Sequence, residues 1–110
     1  MDKKNALSAF GALAQPTRLD VFRLLVRAGA EGMLAGEIAA ALGVVQNTMS
    51  TNLSILLAAG LLRNAREGRT VRYFADFDGM RGLLAYLMED CCGGRPELCA
   101  PVIETLTCGC

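Results

Sequence analysis

The sequence predicts a mainly α-helical domain with one small β-hairpin. Apolar residues recur at intervals of three and four through most of the chain, which is the spacing of amphipathic helices. Beyond Gly60 the period changes to two, and β-branched and aromatic residues flank Gly68, as in a hairpin. A length of 110 residues, 53% of them hydrophobic and only 5% aromatic, suits one core of packed helices.

The first two helices are separated by a proline. Residues 5–14 carry apolar side chains at helical spacing, and Gln15-Pro16 interrupts them. Pro16 suits the first turn of a second helix, because backbone N–H groups there have no acceptor within the helix and the N–H that proline lacks is not needed. That helix is expected to end at Gly29 and Gly32.

The middle of the chain predicts two more helices joined by a glycine turn. A short helix is expected over residues 34–42, closed by Gly43, and a longer one over residues 46–58, stopped by Gly60. The hairpin follows, over residues 61–75. A fifth helix is predicted over residues 79–90, and one more short helix around residues 102–106.

Two helices joined by a turn and followed by a hairpin are the parts of a winged helix-turn-helix, a DNA-binding arrangement. In the helix after Gly43, one face is apolar. The opposite face consists of Gln46, Asn47, Thr48, Ser50, Thr51, Asn52 and Ser54. Solvated helix faces usually carry Lys, Glu and Arg, whereas these nine positions, 46–54, carry no charge. Uncharged amides and hydroxyls are suited to base edges in a major groove.

Arginine recurs every three residues in the hairpin. The positions are Arg63, Arg66, Arg69 and Arg72, with Glu67 as the one acid among them. Such side chains can contact phosphates or enter a minor groove, although charges also protect exposed strands from pairing. Residues 1–75 carry a net charge of +4 and residues 76–110 carry −4, so the basic part is the one suited to a polyanion.

All five cysteines lie in the last twenty residues, and the chain has no histidine. They are Cys91, Cys92, Cys99, Cys108 and Cys110. Residues 91–110 are therefore expected to form a cysteine-rich tail after a DNA-binding domain of residues 1–90. A signal peptide and a membrane span are not expected, so a cytoplasmic location with reduced thiols is predicted. Reduced thiols favour an ion site or a redox switch over a disulfide.

The run GEIAAALGVVQNTMSTNLSILLAAGLLRNAREGRTVRYF resembles the core of the ArsR/SmtB family of metalloregulatory winged-helix repressors. The opening AFGALAQPTRLDVFRLL is similar to that family's first two helices, so the resemblance covers about residues 8–90. It implies a homodimer through the first and last helices, operator DNA as the partner, and release on ion binding. By the same resemblance, residues 1–90 are also the dimerisation domain and residues 91–110 act as a sensor tail. The family's base-reading helix and wing match Gln46, Asn47, Thr48, Ser50, Thr51, Asn52, Arg66 and Arg69. Val45 stands where the family often has a capping Ser or Thr.

The cysteines resemble one arrangement of that family, a vicinal pair ending the last helix plus one cysteine downstream. Here these are Cys91, Cys92 and Cys99, and the sulfur-only set selects thiophilic ions. Three thiolates suit As(III) or Sb(III) as the inducer, although cadmium, lead or mercury could occupy them too. Cys108 and Cys110 rank second, as further ligands or as an unligated tail. No organic cofactor is expected.

Two alternatives to an arsenic-responsive repressor stay open. Vicinal thiols could oxidise, which would give a repressor responsive to peroxide or to sulfur species. The chain could also be a thiol ion carrier that does not bind DNA. An enzyme is not expected, because the sequence offers no histidine, phosphate loop, nucleophile–base pair or carboxylate dyad at recognisable spacing.

Overall fold

The computed structural model describes residues 1–89 and 96–106, which form six α-helices and one antiparallel sheet. The helices are α1 (Lys3–Leu13), α2 (Pro16–Ala28), α3 (Ala35–Leu42), α4 (Gln46–Ala58), α5 (Phe77–Leu87) and α6 (Pro96–Leu106). A 3-10 turn spans Gly29–Glu31, and the strands are β1 (Met33–Leu34), β2 (Leu62–Glu67) and β3 (Thr70–Ala75). Within the described ranges, none of the helices has the length and apolarity to cross a membrane. The prediction of a mainly helical winged helix-turn-helix is confirmed.

Helix starts differ from the predicted ones where a side chain caps the helix. Helix α1 begins at Lys3 because Asp2 Oδ1 accepts a hydrogen bond from the Asn5 N–H at 2.7 Å. Asp76 Oδ1 likewise accepts from the Gly79 N–H at 3.0 Å, so α5 begins at Phe77. Helix α5 ends at Leu87, before its predicted end, and α6 is longer than predicted. The bounds of α4 agree with the prediction.

The sheet contains a strand that the periodicity did not predict. The order is β1-β3-β2, and β1 pairs with β3 through Met33 opposite Tyr73 and Leu34 opposite Arg72. Leu34, predicted as the first residue of a helix, instead ends β1 and precedes α3. Its backbone N–H donates to Glu37 Oε1 at 2.8 Å. A two-residue strand is too short to show a period of two, which explains the difference.

The core lies among α1, α2, α3 and α4 and includes Leu61 and Leu62, where β2 begins. Its largest fully buried side chains are Val21, Leu25, Ile38, Met49, Leu53, Leu56 and Leu61. Helix α4 contributes three of them, all from one face, because residues three and four apart share a side of a helix. The opposite face of α4 is consequently turned outward.

Helix α4 starts without a side-chain cap, as expected from the valine at its N-cap position. Val45 is extended (φ −66°, ψ 150°) and its side chain is 70% exposed, so a serine there can bond the N–H of Asn47 or Thr48 without strain. Val45→Ser is expected to raise the free energy of unfolding by about 1 kcal/mol. Urea unfolding measures this gain, with Val45→Ala as the matched control that adds no acceptor. Equal stability of the two variants would contradict the capping argument.

Candidate nucleic-acid interface

The turn between α3 and α4 is closed by backbone hydrogen bonds. Gly43 adopts the left-handed conformation (φ 64°, ψ 34°), which favours glycine. The Val44 N–H then donates to the Ala39 carbonyl at 3.0 Å, and the Gly43 N–H donates to the Ala40 carbonyl at 3.4 Å. These bonds satisfy two backbone carbonyl groups at the C-terminal end of α3 and direct the chain into α4. The two helices therefore form the expected helix-turn-helix.

The outward face of α4 carries most of the residues predicted to read bases. The exposed ones are Gln46, Asn47, Thr48, Ser50 and Thr51. Asn47 and Thr51 lie opposite the buried Met49, Leu53 and Leu56, and Gln46, Thr48 and Ser50 flank them on the exposed surface. Thr51 Oγ1 donates to the Asn47 carbonyl at 3.2 Å and keeps its own lone pairs exposed. The face therefore presents amide and hydroxyl groups and no charge.

Asn52 does not belong to this face, which corrects the prediction. Its side chain is 5% exposed, and its Oδ1 accepts a hydrogen bond from Arg18 Nη1 at 3.3 Å. Asn52 follows Met49 by three residues and precedes Leu56 by four, so it shares their buried side of the helix. The residue type suggested base reading, whereas its helical spacing already indicated burial.

The wing is the hairpin of β2 and β3, which turns at Gly68 (φ 64°). Two of its arginines are held by the fold. Arg72 Nε donates to Glu67 Oε2 at 2.9 Å, and its Nη1 donates to the Glu31 carbonyl at 3.2 Å. The hydrogen bond to Glu67 raises the pKa of Arg72. The Arg63 guanidinium lies 4.3 Å from the centre of the Phe74 ring.

The other two wing arginines are at the tip. Arg66 and Arg69 are exposed on either side of the turn. Arg66 Nε donates to the Gly68 carbonyl at 3.3 Å, a bond that leaves the rest of its guanidinium exposed. The four regularly spaced arginines thus form two pairs: Arg63 and Arg72 contact other groups of the fold, and Arg66 and Arg69 extend from the tip of the wing. Arg66 and Arg69 are the two predicted to contact DNA.

A cleft of about 610 Å³ separates the wing from the two helices of the helix-turn-helix. Gln46 and Ser50 of α4 line one side, and Arg69 and Tyr73 of the hairpin line the other. Glu37 at the start of α3 lies at the same cleft, with its carboxylate bonded to the Leu34 N–H. The polar face of α4 and the wing tip therefore border one concave surface. Tyr73 and Glu37 were not predicted there, because the pairing of β1 with β3 brings the start of α3 beside the hairpin.

The predicted sulfur ligands fall largely outside the described residues. Cys91, Cys92, Cys108 and Cys110 lie there, and Cys99 is described only as a backbone position in α6. Among the side chains that the structure describes, which do not include that of Cys99, no three of Cys, Asp or Glu are grouped as a metal site would require. The sulfur site therefore stays a prediction.

Comparisons with known proteins agree with this geometry. A family model described as a helix-turn-helix domain matches residues 13–64. The nodulation protein NolR of Rhizobium meliloti is 31% identical over 88 residues, which cover 80% of this chain and 70% of NolR.

Two solved structures are similar to most of this chain. One is described as the homodimeric winged helix-turn-helix DNA-binding domain of Mb0332 from Mycobacterium bovis, a possible ArsR-family transcriptional regulator. It is 30% identical with a TM-score of 0.62, and the match covers 79% of this chain and 81% of that one. The other, described as a possible transcriptional regulator for arsenical resistance, is 28% identical with a TM-score of 0.60. That match covers 70% of this chain and 77% of the other.

Proposed function

The chain belongs to the ArsR/SmtB family of winged helix-turn-helix transcriptional regulators, and from this premise we propose that it is a repressor released by As(III) or Sb(III). As a member of that family it is a DNA-binding transcriptional regulator and not an enzyme. The observation that carries the proposal is the uncharged polar face of α4, whose Gln46 and Ser50 share one cleft with Arg69 of the wing.

The proposed DNA contacts divide into base reading and phosphate binding. Helix α4 enters the major groove, whose width of about 12 Å admits one helix, and its exposed amides and hydroxyls meet base edges. Gln46 and Asn47 are at the N-terminal end of α4, the part of a recognition helix that contacts bases. Arg66 and Arg69 contact phosphates beside the groove, which adds affinity without sequence preference.

The proposed dimer uses apolar side chains that the single chain leaves exposed. Leu7 and Phe10 of α1 are 61% and 39% exposed, and Leu84 and Leu87 of α5 are 38% and 52% exposed. Burying such a set against a second copy removes apolar surface from water. The similar Mb0332 domain is described as homodimeric. A twofold dimer presents two α4 helices to half-sites separated by about 34–36 Å.

The proposed inducer site consists of Cys91, Cys92 and Cys99, within the sensor tail of residues 91–110. The vicinal pair follows the end of α5 by four residues, so an ion held there acts directly on a dimer helix. Reorganising that helix changes the separation of the two α4 helices and weakens operator binding. A coupling of about 1–3 kcal/mol is typical of such regulation. The similarity to a possible regulator for arsenical resistance supports this inducer class.

A mobility-shift experiment tests the proposal. The full chain is incubated with the DNA segment upstream of its own gene, and arsenite, antimonite, cadmium and peroxide are titrated separately. We expect a shifted complex that arsenite or antimonite releases. Failure to shift any DNA would contradict the repressor and favour a thiol carrier. Release by peroxide alone would contradict the ion site and favour a redox-responsive repressor.

Arg69→Ala tests the wing contact. Removing one phosphate contact is expected to weaken binding to all DNA sequences alike and to reduce the salt slope of log K by about 1. Fluorescence anisotropy at several salt concentrations measures both effects. Arg27→Ala removes an exposed arginine from α2 and serves as the control of equal charge change. An unchanged salt slope in Arg69→Ala would exclude the wing tip from the interface.

A further inference from the structure

One polar side chain is buried inside the DNA-binding half of the molecule. Of the residues that the structure describes, Asn52 is the one polar side chain in the buried set, and it lies in the middle of α4 between exposed Thr51 and buried Leu53. A buried amide is costly unless it is hydrogen-bonded. Its partner is the Arg18 guanidinium, at 3.3 Å from Nη1 to Oδ1.

Arg18 connects three helices through one guanidinium. It lies in the first turn of α2, where its backbone N–H donates to Gln15 Oε1 at 2.7 Å. Its Nε donates to the carbonyl of Ala12 near the end of α1 at 2.7 Å, and its Nη1 reaches Asn52 in α4. The guanidinium is a rigid planar fork. It can therefore bond the Ala12 carbonyl and Asn52 Oδ1 at the same time only when α1, α2 and α4 lie in a narrow range of relative positions.

We propose that Arg18 and Asn52 are positioning residues that determine the rotation of α4 about its own axis, and so which side chains face the DNA. This role rests on the proposed reading of DNA by α4. The apolar contacts of Met49, Leu53 and Leu56 hold α4 on the core, but such contacts are non-directional. The hydrogen bond from Arg18 is directional and is lost when α4 turns.

The rotation of α4 should affect the preference for one DNA sequence over another more than it affects the affinity for DNA of any sequence. Amide pairs with base edges need defined distances and angles, whereas phosphate contacts by flexible arginines tolerate small shifts. Removal of the Asn52 amide should therefore lower the preference for the operator over other DNA. Affinity for DNA of arbitrary sequence should stay nearly the same.

The test compares Asn52→Leu with Asn52→Asp in the full chain. Leucine has a similar size and no acceptor, and aspartate keeps the acceptor for Arg18. Two duplexes of equal length and composition serve as probes, one selected from a random pool by the unmodified protein and one scrambled. For Asn52→Leu we expect the ratio of the two affinities to fall by about tenfold, which corresponds to about 1.4 kcal/mol. Asn52→Asp should retain the ratio within about threefold, an effect below about 0.7 kcal/mol.

Each result supports or overturns the positioning role. A folded Asn52→Leu protein that keeps the ratio, or that loses affinity for both duplexes equally, would overturn it. If Asn52→Leu does not fold, Arg18→Lys replaces it, because lysine keeps the charge but lacks the fork that bonds both acceptors. An unchanged ratio in Arg18→Lys would likewise overturn the role. An unmodified protein that selects no sequence would refute the proposed function itself, and the positioning role with it.

Discussion

Gly32→Ala is expected to lower the free energy of unfolding by about 2–6 kcal/mol. Gly32 has φ 60° and ψ −165°, a conformation that costs a residue with a side chain about 1–3 kcal/mol. A Cβ there would collide with the Tyr73 carbonyl oxygen and lie 2.6 Å from Phe74 Cδ1. Tyr73 belongs to β3, so the collision can be relieved only if β1 moves away from β3. This movement lowers the free energy of unfolding by a further amount of about 1–3 kcal/mol, the cost of overpacking a core. Urea unfolding measures the sum.

Gly29→Ala is the matched control for this loss. Gly29 also has a positive φ, 63°, but a Cβ at that position would meet nothing within 4 Å. Its ψ of −138° is close to that of Gly32, so it carries the same conformational cost, about 1–3 kcal/mol, without the collision. The difference between the two variants measures the close approach of Gly32 to β3. Equal stabilities would contradict that approach.

Cys91→Ser and Cys92→Ser are each expected to bind the operator as tightly as the unmodified chain and to lose release by arsenite. Serine is close in size to cysteine, but its hydroxyl is a poor ligand for thiophilic ions. In the unmodified protein, arsenite should weaken operator binding by about 5–150-fold. In either variant that factor should fall to about 1. Fluorescence anisotropy of labelled operator, with and without arsenite, measures it.

A double variant of the C-terminal pair is the matched control. Cys108→Ser with Cys110→Ser also removes thiols from the tail but leaves the proposed ligand set of Cys91, Cys92 and Cys99 intact. The full arsenite response is expected to persist. Loss of the response in this control, together with a full response in Cys91→Ser and Cys92→Ser, would move the site to the C-x-C pair.

The helices and the hairpin were predictable because their signals are local. The spacing of apolar residues, Pro16 at the start of α2 and Gly43 at the end of α3 each act within a few residues of the chain. The bounds of α4 followed from the same signals, and so did the missing cap at Val45. The five cysteines likewise indicated a site for thiophilic ions, because the preference of a thiolate for such ions is a property of the side chain and not of the fold.

The interface needed contacts between residues far apart in the chain. Arg63 and Arg72 resemble Arg66 and Arg69 in sequence, yet Arg63 lies over the Phe74 ring and Arg72 donates to the Glu31 carbonyl. Strand β1 exists because Gly32 permits a close approach to β3, which no local period reveals.

Composition and local spacing thus determined that this chain is a winged helix-turn-helix with an uncharged polar face on α4 and a cysteine-rich end. Asn52 shows what they left undecided, because its residue type suits DNA and its position in the fold buries it against Arg18. The tertiary structure alone decided which polar side chains face outward. The physical reason is that burial and hydrogen bonding depend on what packs against a residue, and those partners come from other elements of the chain.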